Sequence, residues 1–151
     1  MPYLEKFLYI KKSTLPNAGK GLFTKKAILK SERIIEYKGK LKRWVDVKEE
    51  DGYNEYLLQV TARKAIDAKS YPKALARYVN DANGRTKVEG IKNNCEFVSD
   101  GTRCYIEAKR AINKYEEILV GYGRAYWILN KKIRALQHIK TLQTLANREE
   151  D

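Results

Sequence analysis

Turn-forming residues break the first two-thirds of this chain into runs too short for ordinary helices. Pro16, Asn17, Gly19 and Gly21 interrupt the chain after "FLYIKKS", and Gly39 stops the alternating run "ERIIEYKG". Gly52 and "KSYP" bound "NEYLLQVTA" and "KAIDA", and "CEFVSDGTRCYIEAKRAI" reads as a hairpin across Asp100-Gly101. Asp-Gly between alternating apolar residues is a strong short-range hairpin signal, because Gly adopts the left-handed backbone that tight turns need. "EEILVGYG" adds one further short apolar strand ending in glycines. From Ala125 the texture changes. Gly and Pro vanish, and Leu129, Ile133, Leu136, Ile139 and Leu142 recur every three to four residues. That spacing predicts an amphipathic helix over about 125–147. The acidic end, Glu149 to Asp151, opposes a helix C-terminus and is expected to fray. The pattern is mainly β with one C-terminal helix.

A chain of 151 residues is expected to form a single domain over 1–151, since no linker, repeat or low-complexity tract divides it. With 43% hydrophobic and 33% charged residues it has the composition of a soluble globular protein, large enough to fold without staples. No apolar run approaches the length of a membrane helix and the N-terminus carries charge within its apolar stretch, which points to an intracellular protein without membrane partners. Cys95 and Cys104 match no zinc spacing and read as reduced thiols on neighbouring strands, so no metal is expected. The net charge of +12 favours acidic or nucleic-acid-associated partners if it is clustered, and only solubility if it is spread.

Few side chains suggest acid–base or hydrolytic chemistry. His138 falls on the predicted helix and reads as solvated; Glu49-Glu50 and Glu116-Glu117 stand beside turns and read as solvated pairs. The Gly-x-Gly of "NAGKGLF" lacks both the strand-to-helix context of a dinucleotide fingerprint and the Gly-Lys-Ser/Thr of a phosphate loop. Tyr37 before a glycine turn, and Tyr122 between Gly121 and Gly123, are tyrosines suited to project into a site.

The order of these segments is more specific than any one of them. Gly-x-Gly, then "EYKG", "RYVND", "NNCEF", "IEAKRAI" and "EEILVGYGRAYW" resembles a SET domain, the protein lysine methyltransferase family, over about 13–127. The resemblance implies small β-sheets around a pseudoknot, and S-adenosylmethionine as methyl donor to a protein substrate bearing a target lysine. It implies a cofactor pocket built from the backbone of Gly19, Lys20, Gly21 and Leu22, with Arg77, Tyr78, Asn80, Asp81 and Asn94. It places Tyr122 at the methyl-transfer centre and Tyr37 in the lysine channel, with Tyr126 closing over the substrate and Trp127 over the cofactor. Phe97 and Val120 are expected beside the substrate.

Three departures stand out. Asp81 occupies a place where the family commonly has histidine, and a carboxylate there either suits a cationic cofactor or caps the turn. Val120 stands two before the reactive tyrosine, often Phe or Tyr, with Phe97 expected to fill that space and to favour more than one methyl. The flanking zinc-binding cysteine clusters are absent, as in a minimal SET domain. Two alternatives remain: a basic nucleic-acid-binding module resting on "YKGKLKRW", and an inactive SET-like protein that binds peptide or cofactor.

Overall fold

The computed structural model describes residues 3–51, 53–84, 87–122 and 124–150. In chain order the elements are β1 (Leu8–Lys12), β2 (Lys20–Thr24), β3 (Arg33–Glu36), β4 (Lys40–Arg43) and a one-turn helix, α1 (Trp44–Val47). There follow β5 (Leu57–Gln59), β6 (Lys64–Asp67), β7 (Cys95–Asp100), β8 (Arg103–Ala108), β9 (Glu117–Ile118) and the long helix α2 (Arg124–Glu150). The strands form three antiparallel three-stranded sheets, ordered β1-β2-β9, β3-β8-β7 and β4-β6-β5.

The main core lies where these sheets meet. Ile34, Ile106, Ile118, Leu22 and Val120 are fully buried in it, each worth about 1.5–3 kcal/mol of apolar burial. Adjacent positions on β3 and β8 are both buried, so the runs "RII" and "CYI" read as continuous rather than alternating. Both faces of this sheet are covered, which removes the polar-out half of the pattern.

The β7–β8 hairpin pairs Asp100 with Arg103, so its two-residue turn is Gly101-Thr102, one step later than the Asp-Gly reading. Cys95 pairs with Ala108 and Cys104 with Ser99, which separates the thiols by about 13 Å along the ladder. Both are free and buried, and burial pushes Cys95 up to about 12 and Cys104 up to about 11.

Sequence periodicity missed β4. "KLKR" has no apolar alternation, and Leu41 is 46% exposed. It is a strand because it forms an edge, pairing from Lys40↔Asp67 to Arg43↔Lys64, and lysines on an edge discourage further pairing. The same geometry weakens "YKGKLKRW" as a nucleic-acid motif. Tyr37 is buried, Lys42 Nζ pairs with Asp67 at 2.7 Å and Arg43 with Asp46 at 2.9 Å.

One crossing places the functional region. Residues 117–122 pass between the two ends of the loop that joins position 80 to position 95, and bond to both. Leu119 bridges Asn80 and Val120 bridges Cys95, each in parallel. Val120 N–H donates to Asn80 O at 2.9 Å, while the N–H groups of Asn94 and Cys95 donate to Leu119 O at 3.0 and 2.9 Å. α2 begins directly beyond this crossing and continues to Glu150, longer than the 125–147 expected. His138 lies on it, exposed. No helix among the described residues is long and apolar enough to cross a membrane.

Candidate active site

Tyr122 stands at the end of the crossing segment and is held by backbone and side chain. Its hydroxyl donates to the carbonyl of Val79, and its N–H donates to Asp81 Oδ2 at 2.8 Å. Phe97, on β7, stacks beside the ring at 6.3 Å between centroids and 27° between planes. Phe97 in turn meets Tyr37 edge-to-face, at 5.7 Å and 89°. The Tyr37 hydroxyl donates to Tyr56 O at 2.9 Å. Burial, helped by the charge of Asp67, pushes that phenol far above its ordinary range, so it stays neutral.

Three adjoining cavities meet at Tyr122. One of about 370 Å³ is bordered by Tyr37, Phe97, Tyr122, Leu57, Trp44 and Arg77 among others. Next to it lie a cavity of about 480 Å³ against Leu15–Gly19, Asn80 and Asp81, and one of about 350 Å³ against Gly19, Lys20, Arg77, Tyr78 and Asn80. Among the described residues, only Tyr122 and Glu55 border all three. Glu55 was not singled out from sequence; an exposed carboxylate in "YNEYLL" carries no signal until the fold brings it there.

Asp81 is a tether. Its Oδ1 accepts from Asn83 N–H and from Asn93 Nδ2, both at 2.8 Å, and its Oδ2 takes the Tyr122 N–H. Asn93, also unforeseen, completes the knot by accepting the Ala82 N–H at 2.8 Å through Oδ1. An acceptor-only side chain suits this position, because three donors converge on it.

Asn94 is placed differently from the sequence expectation. It is fully buried and borders none of the three cavities. Its Nδ2 donates to Glu116 Oε2 at 2.9 Å and Glu117 O at 2.8 Å, and its Oδ1 accepts Leu119 N–H at 2.9 Å. With its amide spent on the crossing segment, it holds that segment rather than facing into the pocket.

The reading of Glu116-Glu117 as a solvated pair is overturned. Glu117 is buried: Oε2 accepts from Ser13 Oγ at 2.7 Å, and Oε1 from Thr14 N–H at 2.9 Å and Thr14 Oγ1 at 2.6 Å. Gly21 is needed beside it, since a Cβ there would fall 2.3 Å from Oε2. Glu116 is part-buried and accepts from Asn94, from Asn113 N–H at 3.2 Å and from Arg110 at 2.9 Å. Burial alone would raise its carboxyl, but these hydrogen bonds outweigh it and hold the group low.

The remaining predicted residues fall as follows. Asn80 Nδ2 donates to Lys20 O at 2.9 Å, pinning the Gly-x-Gly strand beside the cavities. Gly19 offers open backbone, with no atom within 4 Å of the place a Cβ would take. Arg77 lays its guanidinium over the Tyr56 ring at 3.9 Å and the Tyr78 ring at 5.4 Å, and Nη1 donates to Ala68 O and Lys69 O at 2.9 and 3.0 Å. Its Nε is buried without a hydrogen-bond partner among the described residues. The Tyr78 hydroxyl donates to Pro72 O at 2.9 Å. Leu22 and Val120 are fully buried in the core, so neither presents a side chain to the cavities. The side chains of Tyr126 and Trp127 lie outside the described residues.

A family model decides the assignment: the SET domain matches residues 19–123, most of the chain. The chain belongs to the SET domain family. No curated protein matches it. The matched span runs from Gly19, just before β2, to the residue after Tyr122, so it contains the glycine segment, the loop from 80 to 95 and the crossing that border the cavities described above. SET domains are usually protein lysine methyltransferases and generally bind S-adenosylmethionine. No zinc cysteine cluster accompanies this one, and no group of three or more His, Cys, Asp or Glu among the described residues is placed to hold a metal.

Proposed function

We propose that this chain is an S-adenosylmethionine-dependent protein lysine N-methyltransferase, folded as one domain, with Tyr122 at its reactive centre. The observation that carries the reading is the position of Tyr122, shared between the Tyr37–Phe97 cavity and the two cavities along Gly19, Asn80 and Asp81. Methyl transfer needs donor and acceptor held in line at one point, and Tyr122 is where the cavities proposed for the two meet.

The donor-side residues fit the cofactor. The buried, unpartnered Arg77 Nε is a donor awaiting an acceptor, and the open backbone at Gly19 leaves room for close approach. Gly19, Lys20, Arg77, Tyr78, Asn80 and Asp81 border this region. When bound there, the cofactor would supply a methyl group activated on a sulfonium, and these residues would hold that group toward the lysine nitrogen. Trp127 and Tyr126, which follow the crossing directly, are proposed to close the two sides.

The acceptor must arrive as a neutral amine, although a free lysine holds its proton up to about pH 10.4. Tyr37, Phe97 and Tyr122 supply a low-dielectric channel that disfavours the ammonium. With its own proton committed to Val79 O, the Tyr122 hydroxyl presents an oxygen that accepts from the amine and orients it. The ring faces tolerate the methylated cation formed as product. The departure at Asp81, a carboxylate where the family commonly has histidine, is accounted for by its three hydrogen bonds.

Incubation with labelled methyl donor and a protein extract, comparing wild type with Tyr122→Phe, tests the reading. Label in lysine that falls at least tenfold in the variant is expected. Equal labelling removes Tyr122 from the reaction, and no labelling together with no cofactor binding removes the enzyme.

A further inference from the structure

The first 31 residues carry seven lysines and one glutamate, net +6, half of the charge of the whole chain. The structure gathers several of them on one end of the β1–β2 hairpin. Lys6 Nζ and Lys26 Nζ lie 5.1 and 4.8 Å from the centre of the Phe7 ring, and Lys25 Nζ lies 5.8 Å from that of Tyr9. Tyr9 stacks on Phe23 at 5.6 Å. Phe7 O accepts the Lys25 N–H at 2.7 Å, and the neighbouring Thr24 O accepts the Tyr115 N–H at 2.7 Å, which brings a second aromatic-lysine pair to this end. Tyr115 is 60% exposed, with Lys114 Nζ 5.1 Å from its ring. None of these lysines forms an ion pair among the described residues.

Two features distinguish this face from a merely soluble surface. The cations are uncompensated and packed together, which costs self-repulsion unless a polyanion neutralises them. Tyr115 also stands at φ +70°, a left-handed backbone that is strained for a non-glycine residue, yet leaves its ring in solvent.

We propose that this end of the β1–β2 hairpin binds single-stranded nucleic acid, the lysines neutralising phosphates and Tyr115 stacking on a base. Stacking on an exposed ring beside a lysine-lined track is sequence-tolerant, as every base offers a π-face. A lipid surface fits less well, because Phe7 and Tyr9 lie half-buried beneath ammonium groups rather than protruding as apolar anchors. From the Lys12↔Lys20 pair near Gly19 to the Leu8↔Thr24 pair, the hairpin extends about 14 Å, so a bound strand leaves the cavities free. The inference goes beyond methyl transfer and does not depend on it.

Fluorescence anisotropy with a labelled oligothymidylate tests it, alongside inorganic polyphosphate and phosphatidylserine–phosphatidylcholine vesicles. Wild type is expected to bind the oligonucleotide with a steep salt dependence. A Lys6→Gln, Lys25→Gln, Lys26→Gln triple variant should bind about tenfold more weakly or worse at 0.1 M salt, with the log–log salt slope reduced by about two. Tyr115→Asn, which tolerates the same backbone, should weaken oligonucleotide but not polyphosphate binding. A control removing equal charge elsewhere, Lys48→Gln, Lys73→Gln and Lys140→Gln, should bind within about threefold of wild type. Equal losses in both triple variants overturn the location. Vesicle binding without oligonucleotide binding, or indifference to Tyr115→Asn, overturns the nucleic-acid assignment. Circular dichroism melting confirms that each variant is folded.

Discussion

The carboxylate of Asp81 accepts the backbone N–H of Tyr122 at 2.8 Å, across 41 positions of sequence. This bond ties the tyrosine's main chain to the turn after Asn80, while its hydroxyl is tied to Val79 on the same turn. The ring is therefore fixed at both ends by one short stretch of chain.

Replacing Asp81 by Asn should expose that dependence. The amide keeps the shape but turns a donor toward one of three donors that now converge on the carboxylate. A loss of about 1–3 kcal/mol is expected from the unsatisfied group, read as a lower midpoint in thermal or urea unfolding. Under the methyltransferase reading, methyl transfer should fall more than tenfold with cofactor affinity less affected. Activity and stability at wild-type levels would mean that the tether is dispensable.

Glu117 and Gly21 form a coupled pair. Glu117→Ala strands the Ser13 hydroxyl and both donors of Thr14, for an expected cost of about 2–4 kcal/mol. Gly21→Ala drives a methyl group into the same carboxylate and should cost about 1–3 kcal/mol. The double variant should lose clearly less than the sum, because the clash vanishes with the carboxylate. Additive losses in a double-mutant cycle would refute the contact.

Phe97 faces both Tyr37 and Tyr122 with no hydroxyl of its own. Under the methyltransferase reading, wild type should add two or three methyl groups, and Phe97→Tyr should shift the product toward one by anchoring a water. Mass spectrometry of exhaustively reacted substrate reads this directly; a wild-type product that stops at one methyl defeats it.

Acid should weaken the fold through two carboxylates. For Asp67, burial pushes the carboxyl up, but hydrogen bonds from Lys42, the Lys69 N–H and Asn54 outweigh it and hold the group below its ordinary range; Glu116 is held low in the same way. A depressed folded value means that the unfolded chain binds more protons as pH falls, so the stabilisation is complete above the unfolded values of about 4 and is lost below them. Urea midpoints should be flat from about pH 5 to 7 and drop from about pH 4 downward. Asp67→Asn should lower the plateau and flatten the drop; an unchanged slope would remove Asp67 from the acid response.

Local signals were readable where both partners were near in sequence. The β7–β8 hairpin, α2 and the glycine segment all declare themselves within a few residues, because turn chemistry and helical period are short-range properties. What was not readable depended on distant partners. Glu117 looked solvated beside its turn, and only the Ser13–Thr14 segment, more than 100 positions earlier, shows why a carboxylate is buried there. Of two adjacent asparagines, the resemblance names Asn94, while the bond from Asn93 to Asp81 depends on a turn twelve positions earlier that the pair itself does not announce. β4 escaped because its strand character comes from β6 and not from its own pattern.

The crossing of residues 117–122 between the ends of the loop from 80 to 95 imposes an order of manufacture. A nascent chain that holds the β4-β6-β5 sheet and the β7–β8 hairpin, which ends at Ala108, still lacks Tyr122 and the segment that crosses beside the cavities. Tyr122 arrives only when the final stretch docks between segments already synthesised, and the same docking places Glu117 against Ser13 and Thr14. The same docking ties the beginning of the chain to its later part, so under the methyltransferase reading a half-built molecule lacks its proposed centre.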